Sequence, residues 1–244
     1  MQINIQEQNR KYYDHESAVY DDNRYGSIAG QRVDAFHKRV LDELLVRELE
    51  RDSSVLEMGC GTGRLLAHLL KYDLRLSGAD MSPGMLDVAR RRLGGHADRI
   101  ALHESLANEL PFPDASLDAV YSILVINLIP DYSKAVREVG RVIKPGGIFV
   151  FNVPNLYSVY ILGGMYVNLR GKTVGANDAG HRYSHWFSSS EWRTTLTKSG
   201  FSVEQVLGQP PWLRTYDGAG PIAGDGVWGL LAKSVYIKAR KNNG

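Results

Sequence analysis

Between Val55 and Leu66 a short apolar run breaks into three alternating glycines, Gly59, Gly61 and Gly63, and a helical pattern follows at once. A turn of this kind brings bare backbone N–H groups against a ligand. Dinucleotide sites use G-x-G-x-x-G, whose third glycine lets the helix pack close while its N-terminus faces a pyrophosphate. Here Arg64 stands in that third place, and the phosphate-loop ending Gly-Lys-Ser/Thr is absent. Glu57, at the mouth of the apolar run, is a poor neighbour for phosphates. A second carboxylate, Asp80, follows the glycines at about the twenty-residue distance usual in nucleotide-binding βαβ units. A carboxylate there accepts from both hydroxyls of a ribose diol. Ribose recognition without a pyrophosphate points to an adenosyl ligand such as S-adenosylmethionine.

These residues need a frame that aligns several strand ends. Short β-like runs alternate with helical patterns through the middle of the chain, which implies a parallel sheet covered on both faces. Strands are expected at 54–57, 74–79, 100–104, 118–122 and 148–153. Ser82-Pro83 supplies an N-cap and a first-turn proline for a helix through Arg92, and a further helix runs from near Asp131 to Val142. Ser188-Ser-Ser-Glu191 fits a capping box for a helix that stops at Gly200. Strands at 201–207 and 228–240 follow without a crossover helix between them, so they pair antiparallel.

Several motifs in register carry a family resemblance. Glu57-x-Gly-x-Gly-x-Gly63, Asp80 with Met81 behind it, Leu110-Pro-Phe-Pro-Asp114 before Leu117-Asp-Ala-Val120, and Arg141-Val-Ile-Lys-Pro-Gly-Gly-Ile148 together resemble the class I S-adenosylmethionine-dependent methyltransferases. The similarity is to the small-molecule group that includes the ubiquinone and menaquinone enzymes, and it covers about residues 50–153. It implies an α/β, Rossmann-like, doubly wound sheet of seven mostly parallel strands with an antiparallel last strand. An N-terminal helical cap (1–50), a cofactor-binding core (51–153), a substrate-covering lid insertion (154–190) and a C-terminal helix with strands (191–244) make up one methyltransferase domain.

The resemblance also implies roles. Backbone at Gly59, Cys60 and Gly61 lines the methionine portion of the cofactor, Asp80 holds the ribose, Met81 and Met85 flank the adenine, and Ser122 faces the methionine end. The family's usual aspartate near the adenine is replaced by Leu106, so Ser105, the backbone of Leu106 and a neighbour such as Glu104 are left to compensate. The stretch from Tyr12 to Tyr25 resembles the family's leading helix. Its Tyr20 can favour a sulfonium by cation–π attraction, and its Arg24 can pair with a carboxylate. S-adenosylhomocysteine is the implied product, and no metal is called for.

Methyl transfer to oxygen or nitrogen also needs a place for a proton. His181-Arg-Tyr-Ser-His185 falls in the irregular segment after the fifth strand, and makes His181, His185 and Tyr183 the candidates for catalysis; Asn127 and His15 are weaker ones.

The totals narrow the setting. With 244 residues, 43% of them hydrophobic, the chain can bury a full core, and its net charge of +2 argues against a nucleic-acid binder. The single cysteine excludes an internal disulfide and suits a reducing, cytoplasmic compartment. Ile148–Leu169 is the longest apolar stretch, but Asn152, Pro154, Asn155, Ser158 and Asn168 interrupt it, so no membrane span is expected. The expected partner is a small, partly apolar methyl acceptor; nothing in the sequence sets an oligomeric state. The competing readings are a tRNA or rRNA methyltransferase and a non-catalytic S-adenosylmethionine-binding protein.

Overall fold

The structure, a computed structural model, is described here for residues 5–96, 98–158, 184–209 and 232–243. Three helices lead: α1 (Ile5–Glu16), α2 (Tyr20–Tyr25) and α3 (Ile28–Leu44). The core then alternates β1 (Ser54–Met58), α4 (Arg64–Leu69), β2 (Arg75–Asp80), α5 (Pro83–Leu93) and β3 (Ile100–Glu104). After β4 (Leu117–Ser122), α6 (Tyr132–Val142) and β5 (Ile143–Pro154) come α7 (Ser189–Lys198), β6 (Phe201–Gly208) and β7 (Ser234–Lys241). The expected lid insertion falls mostly on residues 159–183, outside the described residues.

The seven strands form one sheet in the order β3-β2-β1-β4-β5-β7-β6. The pairs among β1 to β5 are parallel, and β7 runs antiparallel to both of its neighbours. The strand order therefore reverses between β1 and β4. Ligands of open α/β sheets bind at such a point, outside the carboxyl ends of the strands.

β5 begins five residues earlier than its hydrophobic run. Leu117 pairs with Ile143, then the ladder jumps to Ala119 with Ile148, and the intervening residues loop out as a bulge. Lys144 pins this bulge by donating to Asp118 at 2.7 Å.

Apolar side chains bury both faces of the sheet. Phe36, Val40, Leu44, Leu66 and Leu86 cover one, and Val136, Val139, Trp192 and Leu196 the other. The helix α3 therefore belongs to the sheet-covering layer, which leaves α1 and α2 as the elements that cap the strand ends. Among the described residues, no helix is long and apolar enough to cross a membrane.

One polar residue of α3 is wholly enclosed. His37 is 0% exposed and packs beside the Tyr236 ring, and its Nδ1 lies 3.4 Å from the Arg64 guanidinium. Burial lowers its pKa from 6.5 to about 4. In the unfolded chain the imidazole protonates near 6.5, so between these values the unfolded state holds the extra proton. This contribution is intact above pH 6.5 and is lost as pH falls towards 4. Urea unfolding should show a loss of about 2 kcal/mol from this group between pH 7 and 5. His37→Leu should flatten that part of the pH dependence, and an unchanged slope would show that His37 titrates normally.

Candidate functional site

The carboxyl ends of β1 and β2 are tied into one unit. The N–H groups of Gly59 and Cys60 donate to the Ala79 carbonyl at 2.7 and 3.1 Å, and Gly61 N–H donates to Asp80 Oδ2 at 2.8 Å. The other Asp80 oxygen accepts from Ser82 N–H at 2.9 Å. The loop needs glycine for two different reasons. At Gly59, with φ +77°, a Cβ would sit 2.4 Å from a Val125 methyl, so the close approach of the β1 and β4 loops forbids one. At Gly61, with φ +50°, a Cβ would meet nothing within 4 Å, which leaves open space above a bare backbone.

The chain leaves β4 through a turn in which Leu124 adopts φ +65°. This conformation is unfavourable for leucine. The side chain of Asn152, buried on β5, holds it by accepting from Leu124 N–H at 2.6 Å. Ile123, Leu124 and Val125 thereby face the glycine loop and line the cavity with it.

Two carboxyls lie beneath this floor. Burial pushes both Glu57 and Asp80 above the usual carboxylate range. Glu57 accepts from the Tyr121 hydroxyl at 3.0 Å, and the N–H groups of Ser82, Gly61 and Met81 partly offset the effect at Asp80. A site built this way favours a positive charge.

One cavity of about 1090 Å³, open mouth included, runs over these strand ends. Its wall brings together Tyr20, Glu57, Gly59, Cys60, Gly61, Asp80, Met81, Met85, Ser105 and Leu106 from the sequence-derived set. Two members of that set stand elsewhere. Ser122 is fully buried, and its hydroxyl donates to the Met58 carbonyl at 2.9 Å, so it ties β4 to β1 and does not form part of the wall. The Arg24 guanidinium lies over the Tyr20 ring, 5.4 Å from its centroid, and is likewise absent from the wall.

Sequence reasoning missed other wall residues: Tyr25, Asn9, Arg64, Asn108 and the apolar run from Leu128 to Pro130. In the sequence Arg64 marks only the place of a missing third glycine. It pairs with Asp34 of α3, donates to the Tyr25 hydroxyl at 3.2 Å and stacks over that ring at 4.1 Å.

The cap is fastened to the same loops that form the floor. Asp14 of α1 accepts from the Ser82 hydroxyl at 2.6 Å and from Gly84 N–H at 3.0 Å, so it reaches the first turn of α5. Asp21 of α2 accepts from the Thr62 hydroxyl at 2.9 Å and pairs with Arg92, which also donates to the Thr62 carbonyl at 2.9 Å. Arg92, at the end of α5, thereby ties α2 to the glycine loop. The Arg10–Glu104 pair at 2.9 Å is exposed and adds little.

The candidates for catalysis lie apart from this wall. His181 and Tyr183 fall outside the described residues. His185 is held by its backbone N–H on the Asn127 carbonyl, 2.8 Å away, and its Nε2 lies 2.6 Å from Glu191 Oε1. Tyr132 donates to the same oxygen at 2.6 Å and stacks on the His185 ring. Burial and the Glu191 carboxylate push the Tyr132 hydroxyl up to about 12. Ser188 caps α7, accepting from Glu191 N–H at 3.3 Å, and the Glu191 carboxylate accepts back from the Ser188 backbone, closing the expected box while it also binds Tyr132 and His185. His185 borders the cavity through Asn127, next to Leu128.

The fastening of α2 gives a direct test. Asp21→Asn should weaken charge-assisted bonds worth about 1.5–3 kcal/mol. Amide hydrogen exchange in residues 20–25 should then accelerate roughly tenfold or more, with β1 to β5 unaffected. Equal exchange in both proteins would show that these contacts do not hold the cap.

Comparison with known proteins agrees with this geometry. Residues 56–151 match the family described as a methyltransferase domain. The malonyl-[acyl-carrier protein] O-methyltransferase of Serratia marcescens is 34% identical over 48% of this chain and 45% of its own length. A demethylmenaquinone methyltransferase of Symbiobacterium thermophilum is 30% identical over 65% of this chain and 64% of its own. The chain thus spans about half to two thirds of the length of these relatives. A Thermotoga maritima structure, described as an S-adenosylmethionine-dependent methyltransferase and possible histamine N-methyltransferase, superposes with a TM-score of 0.69 at 18% identity, covering 95% of this chain and 99% of that one. Residues 56–151 thus carry a methyltransferase domain, and the glycine loop fastened to Asp80 stands at the strand ends of a seven-stranded sheet with the fold of known S-adenosylmethionine-dependent methyltransferases.

Proposed function

We propose that this protein moves a methyl group from S-adenosylmethionine to an oxygen, nitrogen or carbon atom of a small, partly apolar metabolite, by in-line displacement that leaves S-adenosylhomocysteine. One observation supports this reading above the others: a single cavity joins an open glycine backbone, a half-buried Asp80 and a run of aromatic and aliphatic side chains. When bound, the cofactor supplies a methyl group already activated on a positively charged sulfur. The chain's own task is then to position two reactants, which can contribute roughly 7–11 kcal/mol to lowering a barrier.

The residues fit that task. Asp80 would take the ribose hydroxyls, and the backbone at Gly59–Gly61 would take the amino-acid portion. Tyr13, Tyr20 and Tyr25 present rings to the cavity, with the Tyr13 and Tyr20 rings edge to face at 6.0 Å. Burial pushes the hydroxyls of Tyr13 and Tyr20 well above their ordinary range, so both stay neutral and act through ring faces that attract a cation. Arg24, stacked on Tyr20, would reach the cofactor's carboxylate only by leaving that ring.

Ile123, Leu124, Val125, Leu128, Ile129 and Pro130 form the side of the cavity left for the acceptor. An apolar wall suits an acceptor with a hydrocarbon or ring portion, such as the demethylmenaquinone named for one relative, and a cytoplasmic setting suits the buried Cys60 thiol. His185 is the proton acceptor in this reading. Glu191 binds Nε2 and so leaves Nδ1 to take the proton. His181 and Tyr183 remain further candidates for catalysis beside it.

Titration calorimetry with S-adenosylmethionine and NADH tests the donor. Binding should be confined to S-adenosylmethionine, and Asp80→Ala should weaken it at least tenfold while the protein stays folded. Binding of NADH alone would overturn the reading. His185→Gln should lower turnover by about 10²-fold or more with cofactor affinity unchanged, as expected for loss of a general base; full turnover would remove His185 from the mechanism.

A further inference from the structure

The cap helix α1 is anchored by polar side chains. Of its twelve residues only Asn9 is buried, at 5% exposure. A carboxamide is costly to bury and is tolerated where it makes a specific bond. The Asn9 NH₂ donates to the Leu128 carbonyl at 3.2 Å. Asn9 therefore fastens the cap to the wall assigned to the acceptor, and both residues line the cavity.

Leu128 ends a single 3₁₀ turn, Ile126–Leu128. The same turn is also tied to the segment that carries His185. The Asn127 carbonyl accepts from His185 N–H at 2.8 Å, and the Asn127 side chain donates to the Ser184 hydroxyl at 3.1 Å. The turn keeps its own shape through Leu128 N–H on the Val125 carbonyl at 2.8 Å and Ile129 N–H on the Ile126 carbonyl at 3.3 Å. So short a turn takes its position from whatever binds it. One turn thus joins the cap to the proposed proton acceptor.

A second anchor pins α1 to the donor side. Asp14 accepts from the Ser82 hydroxyl and Gly84 N–H, and Ser82 N–H donates to Asp80. Five residues separate Asn9 from Asp14, about 7.5 Å along the helix axis and roughly 140° around it. The two anchors therefore fix both the tilt and the rotation of α1. Gln6 and Tyr13 of the same helix also line the cavity. A ligand in the cofactor half meets this helix directly. A helix with so little apolar burial is the kind of element that a ligand orders most.

We propose that Asn9 is a positioning residue that couples the two halves of the cavity. A bound cofactor holds α1 down, and Asn9 passes this to the Ile126–Leu128 turn and on to His185. The acceptor wall is then complete only when the donor is in place, so the loaded protein binds the acceptor more tightly. By linkage the acceptor strengthens cofactor binding by the same factor. This step rests on the proposed function, which places the cofactor against α1.

Hydrogen exchange at saturating S-adenosylhomocysteine tests the coupling without turnover. In the unaltered protein the ligand should slow exchange about fivefold or more in α1, and similarly at the amides of Leu128, Ile129 and His185. Asn9→Leu keeps the side-chain shape and removes the donor. It should retain the slowing in α1 and lose it, to below about twofold, at those three amides. Asn9→Gln restores a carboxamide on a longer arm and should recover part of the effect. Equal slowing at these amides in Asn9→Leu and the unaltered protein would overturn the coupling, as would slowing confined to α1 in the unaltered protein. Both outcomes leave the methyltransferase reading standing. An unaltered protein that does not bind S-adenosylhomocysteine would overturn both.

Discussion

The site depends on one half-buried carboxylate. Asp80 closes β2, and its two oxygens accept from Gly61 on one side and Ser82 on the other. The first bond fixes the glycine loop against the neighbouring strand, and the second fixes the turn into α5. Ser82 in turn donates to Asp14, so the same residue connects the floor to the cap. Burial makes the charge costly, and the backbone N–H groups offset that cost only in part. A ligand that brings hydroxyl donors and a positive charge supplies what the fold lacks there.

The second constraint is the reversal of strand order between β1 and β4. It opens a crevice that neither strand can fill. A Cβ on Gly59 would collide with Val125 across it, and Asn152 keeps the strained Leu124 turn in place. The wall on the β4 side is therefore apolar and rigid, while the β1–β3 side is polar. In the proposed reading, donor and acceptor occupy these two chemically different halves of one cavity.

The sheet-forming segments and the cofactor loop were legible because local rules decide them. Alternating glycines, a carboxylate at the end of a strand and the Ser82-Pro83 start of α5 each act over a few residues. The long-range partners of Arg64, Arg92 and Glu191 were not legible, since each lies far along the chain. Arg64 meets Asp34, Arg92 meets Asp21, and Glu191 meets Tyr132. Ser122 was misplaced for a related reason: its position after β4 was readable, but the direction of its hydroxyl depends on the register with β1. The start of β5 was missed because a bulge places four turn-like residues inside the strand.

The central claim is that one ligand lies across the ends of β1, β2 and β3 with its ribose on Asp80. A crystal structure of the complex with S-adenosylhomocysteine tests it most directly. The account requires both ribose hydroxyls on the Asp80 carboxylate, the amino-acid end at Gly59–Gly61 and the base against Ser105 and Leu106. A ligand bound in the opposite direction, or with its ribose away from Asp80, would contradict it.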